Sequence, residues 1–204
     1  MGLLSSTVSI TRYTVEGKLE KPVLETMAEW LKKGAIPEVE DAFSDKTVGW
    51  TSFDKPFNPD FEGSSFVIGT YFVFSLRIDK KNIASSVIKK HCDMEAARRL
   101  AETRRQYLSR DERRMIKEHV INVLTLRIPA TPNVYDLIWN YEESSLWFFS
   151  TLKSANEELE TLFFRSFQLP LIRLFPYTTA DLVMGLSDTQ RDILVKLSAT
   201  DFTE

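Results

Sequence analysis

The sequence has few of the residues from which active-site loops and metal centres are usually built. Its 204 residues include seven glycines, two histidines and one cysteine. Cys92 alone cannot form an internal disulfide, and Cys and His are too few for a zinc site made of those ligands. No GxxxxGK[ST], GxGxxG or GxSxG motif occurs. These absences argue against nucleotide hydrolysis, and we expect no cofactor.

Long apolar runs are also missing. The best candidate, FVIGTYFVF at 66–74, is far shorter than the roughly 20 apolar residues that span a bilayer. The first residues, MGLLSSTVSITRYTVEG, have neither the basic lead nor the apolar run of a signal peptide. Hydrophobic residues still make up 43% of the chain, which is enough to form a core. We therefore expect a soluble, cytoplasmic protein with no membrane partner.

Acidic pairs are the remaining candidates for a metal-dependent active site. Glu38, Glu40 and Asp41 are close in sequence, as are Glu142 and Glu143, and carboxylates can hold Mg²⁺. Carboxylates on such polar stretches more often belong to solvated loops. We therefore predict no metal site and no catalytic residue, and we expect that the protein is not an enzyme.

Charge is distributed unevenly along the chain, although the total is only −3. The segment from Arg77 to Arg127 has fourteen Lys and Arg against seven Asp and Glu, a net charge of +7. The rest has twelve bases and twenty-two acids, a net charge of −10. An asymmetry of this size indicates that one segment has an electrostatic role.

Two amphipathic helices are predicted within this basic segment. Apolar residues recur three and four positions apart through 87–108, which is typical of one helix face. Ser109 and Glu112 match a capping box, so a second helix should begin there. Its predicted apolar side consists of Met115, Ile116, His119, Val123 and Leu126. Packed against each other, the helices would form a projecting antiparallel hairpin with the arginines outside.

The rest of the chain predicts an α+β fold. The expected sheet is mixed or antiparallel, packed with helices, and the helical hairpin protrudes from it. A helix from 22 to 34 should end at Gly34, and another at 154–168 should begin with a Ser154–Glu157 capping box. Strands are predicted at 5–15, 48–53, 66–78, 133–141, 145–152 and 169–177. We divide the chain into a body (1–78 and 129–177), a basic hairpin (79–128) and a tail with one short helix (178–204).

The hairpin arginines suit a nucleic-acid backbone. Paired arginines at 98–99, 104–105 and 113–114 are uninterrupted by acids, and guanidinium groups match phosphate oxygens bidentately. Helix surfaces also carry Arg and Glu simply for helix propensity and solubility. The predicted phosphate contacts are Lys89, Lys90, Arg98, Arg99, Arg104, Arg105, Arg110, Arg113, Arg114 and Lys117. The alternative is a protein-interaction or self-association module whose basic hairpin docks on an acidic partner surface.

Several local stretches carry a resemblance to a known family. They are VGW, SSVIKKH, KEHVINVLTLR, the segment around Trp139, and SANEELETLFFRSFQLP. In this order, over about residues 45–175, they resemble the recombination-associated protein RdgC family. Individual matches include Gly49, Trp50 and the Leu169–Pro170 pair. The chain would be a short member of the family, reduced at its C-terminal end.

The resemblance implies a bacterial, nucleoid-associated protein. RdgC-like proteins form a ring-shaped dimer that encircles duplex DNA without sequence preference and restrains the recombinase RecA. In the family, the helical hairpin is the tip that closes the ring. The expected partners are therefore double-stranded DNA, a second copy of the chain and RecA.

Overall fold

A computed structural model describes residues 2–37 and 44–198. Within these ranges the chain forms a seven-stranded antiparallel sheet and six helices, which is the predicted α+β class. The strands are β1 (Thr11–Val15), β2 (Lys46–Thr51), β3 (Val67–Ile68), β4 (Tyr71–Lys80), β5 (Thr131–Asn140), β6 (Ser145–Phe148) and β7 (Leu171–Arg173). The helices are α1 (Val23–Lys33), α2 (Ser85–Thr103), α3 (Arg110–Thr125), α4 (Lys153–Phe167), α5 (Pro176–Val183) and α6 (Asp188–Lys196).

The sheet buries one face under helices α1 and α4. Its strands lie in the order β2-β4-β5-β6-β1-β7, and β3 pairs with the first residues of β4. Period-two alternation brings apolar residues of neighbouring strands to the same face, as in the row Phe72, Trp139, Leu146 and Tyr13. The helices cover this face with buried side chains of Met27, Leu31, Leu159, Leu162, Phe163 and Phe167. Helix α4 provides four of these, Leu159, Leu162, Phe163 and Phe167.

A buried polar network joins α4 to the end of the sheet. The hydroxyl of Tyr13 donates to Oδ1 of Asn156 at 2.6 Å, and burial raises the pKa of Tyr13. Glu160 lies 3.0 Å from the same hydroxyl and accepts from Arg173 at 2.6 Å. The network therefore ties α4 to β1 and β7 through groups that would be costly to bury unpaired.

Two predicted strands are wrong in extent. The predicted strand at 66–78 is a hairpin of β3 and β4, because Gly69 adopts φ +63 and turns the chain. The strand at 5–15 begins only at Thr11. β-branched content in residues 5–10 favoured a strand, but those residues have no ladder partner.

Two predictions for the second half of the chain are also wrong, one for the start of a helix and one for the extent of a strand. Helix α4 begins at Lys153 after Leu152, so Ser154 lies inside the helix and the predicted Ser154–Glu157 capping box does not form. The strand at 169–177 is limited to β7, since Pro176 begins α5. Helix α5 was not predicted, whereas α6 matches the expected short helix. No helix in the described ranges has the length and hydrophobicity needed to cross a membrane.

Candidate nucleic-acid interface

The basic hairpin leaves the sheet after β4 and returns to it at β5. Ser109 caps α3 as predicted, since Oγ accepts from the backbone N–H of Glu112 and Oε2 of Glu112 accepts from the backbone N–H of Ser109. Arg105 donates to the other carboxylate oxygen of Glu112. Hydrogen bonds from Arg105 and the backbone of Ser109 lower the pKa of Glu112 to about 2. One carboxylate thus joins the loop to the start of α3.

The two helices share a small core separate from that of the sheet. Its buried members are Leu108, Ile116, Val120 and Leu124, and Ile83, Ile88, Cys92, Ala96 and Leu100 pack against them. The predicted face of α3 is therefore wrong in part. Met115 and Leu126 are exposed, and so is His119 of the predicted apolar side. The i, i+4, i+8 spacing of Ile116, Val120 and Leu124 defines the buried line.

Packing along that line leaves one groove on each side of the hairpin. The first groove, here called the histidine groove, has a cavity of about 250 Å³. It contains both histidines of the chain, and its polar lining residues are His91, Glu95, Arg98, His119 and Arg127. The second groove has a cavity of about 360 Å³, and Asp93, Tyr107 and Arg113 contribute to its lining.

The second groove marks the side on which most of the predicted phosphate contacts lie. At 3.6 residues per turn, Lys89, Lys90 and Arg104 share the side of α2 that contains Asp93. By the same spacing, Arg110 and Lys117 lie beside Arg113 on α3. We call this set the basic flank. Its members are Lys89, Lys90, Arg104, Arg110, Arg113 and Lys117, and all six are exposed.

The other four predicted contacts are engaged with acids of the hairpin itself. Arg98 and Arg99 both pair with Glu95, with their closest nitrogens at 2.7 and 3.6 Å, and Arg98 also pairs with Glu102. Arg105 pairs with Glu112. Arg114 pairs with Glu118 at 2.9 Å, which raises the pKa of Arg114.

The basic flank differs from these residues in its electrostatics. None of its six side chains forms an ion pair with any residue in 2–37 or 44–198. Exposed ion pairs contribute about 0–1 kcal/mol, so Arg98 and Arg114 can still exchange a carboxylate for a phosphate. The side chains of the basic flank can bind a phosphate without first releasing a carboxylate, because they form no ion pair with a described residue.

Sequence reasoning missed the polar residues of the histidine groove. His91, Glu95 and Arg98 follow the spacing i, i+4, i+7, which is one helix face. Arg127 follows Val123 by four positions and so continues that side of α3. Helical periodicity was the signal that could have identified this groove. The prediction instead placed the side of α3 that contains His119 and Val123 in the core, although both residues line the groove.

The described residues contain no group of three or more His, Cys, Asp or Glu side chains arranged to hold a metal ion. Glu142 and Glu143 lie in the turn between β5 and β6. Glu38, Glu40 and Asp41 lie outside the described residues. The side chain of Cys92 is partly buried between the helices of the hairpin and forms no disulfide.

The chain matches the model of a known protein family. The family model described as "Putative exonuclease, RdgC" matches residues 9–185 of the 204. No curated protein matches the chain significantly. The matched region includes the entire sheet, the hairpin with its basic flank and α5. The chain therefore belongs to the RdgC family.

Proposed function

We propose that this protein binds the backbone of double-stranded DNA, independently of base sequence, through the basic flank of its hairpin. The observation that carries the proposal is the set of six exposed cations on one side of α2 and α3, none of them paired within the described chain. Lys and Arg bind phosphate oxygens without reading base edges. Membership of the RdgC family supports a DNA-related function in recombination. Modulation of RecA-dependent recombination is part of the same proposal.

The proposed role is binding without catalysis, by a nucleoid-associated homodimer. A dimer would present two hairpins to one duplex, and the acids that give the rest of the chain its net −10 would have to face away from the DNA. The affinity would come from release of counterions and would therefore depend strongly on salt.

A second candidate function follows from the same asymmetry of charge. The hairpin segment, at +7, could dock on an acidic protein surface, including the body of a second copy at −10. In that case neutralising the hairpin would disrupt self-association or partner binding and leave DNA unaffected.

Titration of a labelled duplex of arbitrary sequence across a range of salt tests the proposal. The expected result is a steep fall of log affinity with log salt, about −0.9 for each phosphate contacted, with no effect of competitor sequence. Replacing Arg110 and Arg113 by glutamine should make the slope shallower by about 1.8. The matched control is R98Q/R99Q, which removes two arginines already paired with Glu95 and should change the slope less.

The outcomes separate the two functions. Absence of duplex binding at low salt would overturn the DNA proposal. Loss of self-association in R110Q/R113Q, measured by sedimentation, with duplex affinity unchanged, would support the interaction module instead. Charge reversal at Arg104, Arg105, Arg113 and Arg114 should abolish duplex binding and leave the dimer intact.

A further inference from the structure

A groove with mostly apolar walls lies where the sheet meets helix α5. Its cavity has a volume of about 580 Å³, and we call it the Arg12 groove. That volume lies within the roughly 300–1,000 Å³ that is typical of small-molecule sites. The lining comes from β1, from the segment after β7 and from α5 with its C-cap, and it includes Arg12, Leu174, Phe175, Thr179, Ala180 and Met184.

Strand alternation places Arg12 on the face of the sheet opposite helices α1 and α4. Tyr13 points into the core beneath α4, so the preceding Arg12 projects from the other face. Trp147 is directly opposite Arg12 on β6 and is exposed. On the other side of β1, the backbone N–H of Leu174 donates to the carbonyl oxygen of Arg12 at 2.8 Å. Arg12 therefore lies between an exposed tryptophan and the segment that leads to α5.

The charge of Arg12 has no partner within residues 2–37 and 44–198. Its side chain is exposed and forms no ion pair in these ranges. Asp181 of α5 pairs with Arg191 of α6 at 2.7 Å. Among the described residues that line the groove, Arg12 alone is charged. The groove therefore has one positive group in its lining and no acid there to compensate it.

The other walls of the groove present apolar side chains to solvent. Phe175 is 54% exposed and Met184 is 69% exposed, although both are large and apolar. Thr179 adds the one hydroxyl group of the described lining. Contiguous apolar surface beside a few polar groups is typical of a ligand-binding groove. A ligand that covered these walls would remove apolar surface from water.

Local contacts hold the groove in shape before any ligand enters. Oγ1 of Thr178 accepts from the backbone N–H of Phe175 at 2.7 Å, which fixes the start of α5. Arg173 of β7 pairs with Glu160 of α4 at 2.6 Å, which ties the preceding strand to the core side of the sheet. A preformed groove loses less conformational entropy on binding than one that must first be ordered.

We propose that the Arg12 groove binds a small monoanion with an apolar body, of the class of medium-chain carboxylates. The ligand's carboxylate accepts hydrogen bonds from the guanidinium of Arg12, whose planar fork matches it bidentately. Its hydrocarbon part lies against Phe175, Ala180 and Met184. A single guanidinium compensates a single negative charge, so a monoanion suits the groove better than a dianion. The inference is independent of the proposed DNA binding, because the groove is on the sheet and α5 and not on the hairpin.

Titration with octanoate and octanol tests the proposal. The two compounds have the same chain length, and only octanoate is charged. Binding is measured by NMR, from the amide signals of Arg12 and Thr179 and the indole signal of Trp147. We expect octanoate to bind the wild-type protein at one site, about tenfold more tightly than octanol. R12Q should lose this difference and bind octanoate as weakly as octanol.

Two further variants separate the site from general effects of substitution. The matched control is R165Q, which removes an exposed arginine of α4 that forms no ion pair with a described residue, and it should bind octanoate as the wild-type protein does. Ala180→Phe keeps Arg12 and fills the groove, so it should weaken the binding of both compounds. Thermal melting of each variant checks that the sheet remains folded.

Three outcomes would overturn the inference. The first is the absence of saturable octanoate binding to the wild-type protein. The second is equal affinity of the wild-type protein for octanoate and octanol, or a preference for octanoate that survives in R12Q. The third is a lower molar mass in sedimentation when Phe175 and Met184 are replaced by serine, together with no octanoate binding, which would show that a second copy of the chain covers the groove.

Discussion

At the scale of single residues, Glu112 connects the loop of the hairpin to the start of α3. It caps α3 through Ser109, and it also pairs with Arg105 in the preceding loop. Arg104 ends α2 at φ 51, a conformation that usually favours glycine, and the backbone N–H of Arg105 donates to the carbonyl oxygen of Leu100 at 3.2 Å. The loop between α2 and α3 is therefore closed by a few local contacts. Among those named here, the contacts of Glu112 depend on an ionised carboxylate.

Acidification should destabilise the loop between α2 and α3, because it protonates the Glu112 carboxylate. Its folded pKa is about 2, below the ordinary value of 4.5, so its contribution to stability is present above about pH 4.5 and is lost as the pH falls toward 2. Amide hydrogen exchange at the start of α3 should accelerate relative to the sheet over this range. The variant E112Q should lack this pH dependence, and E118Q, on the same helix, should retain it. Identical pH profiles for E112Q and the wild-type protein would contradict the assignment.

At the scale of elements, the hairpin depends on a narrow core. This core has four buried members, three of them on α3. Sequence periodicity predicted the two helices and their junction, because capping and the 3.6-residue repeat are local properties. It misplaced the inner side of α3, since Met115, His119 and Val123 also recur at helical spacing. The position of α2 decided between the two candidate faces.

Truncation of one buried residue of this core should lower the stability of the hairpin. Ile116→Ala removes a side chain that is 1% exposed and should cost about 2–5 kcal/mol of hairpin stability. Its matched control, Met115→Ala, removes a neighbour that is 59% exposed and should cost within about 0.5 kcal/mol. Limited proteolysis between residues 85 and 125, together with urea denaturation, would measure both. Equal susceptibility of the two variants would show that the buried face is misassigned.

At the scale of the whole molecule, the family description names an activity that the proposed function does not include. The matched model bears the name of an exonuclease, whereas the described part of the chain has no cluster of metal-ligating side chains. The proposed function assigns the basic flank to binding alone.

Incubation with DNA tests this assignment directly. An end-labelled duplex mixed with the protein and Mg²⁺ or Mn²⁺ should remain full-length, at protein concentrations that saturate binding. The variant with reversed charge at Arg104, Arg105, Arg113 and Arg114 serves as the control, because an activity that persists when binding is lost would indicate a contaminant. Progressive shortening of the duplex by the wild-type protein, absent from the variant, would establish an exonuclease and contradict the proposal.

The sequence by itself determined the α+β class, the helices of the hairpin with the cap at Ser109, and the concentration of positive charge between Arg77 and Arg127. These features depend on composition and on contacts within a few residues. Only the tertiary structure decided which side of α3 is buried and which strands are neighbours in the sheet. Each of these depends on which distant segments meet, because strand register and helix packing are set by the burial of the whole core, and no local pattern encodes them.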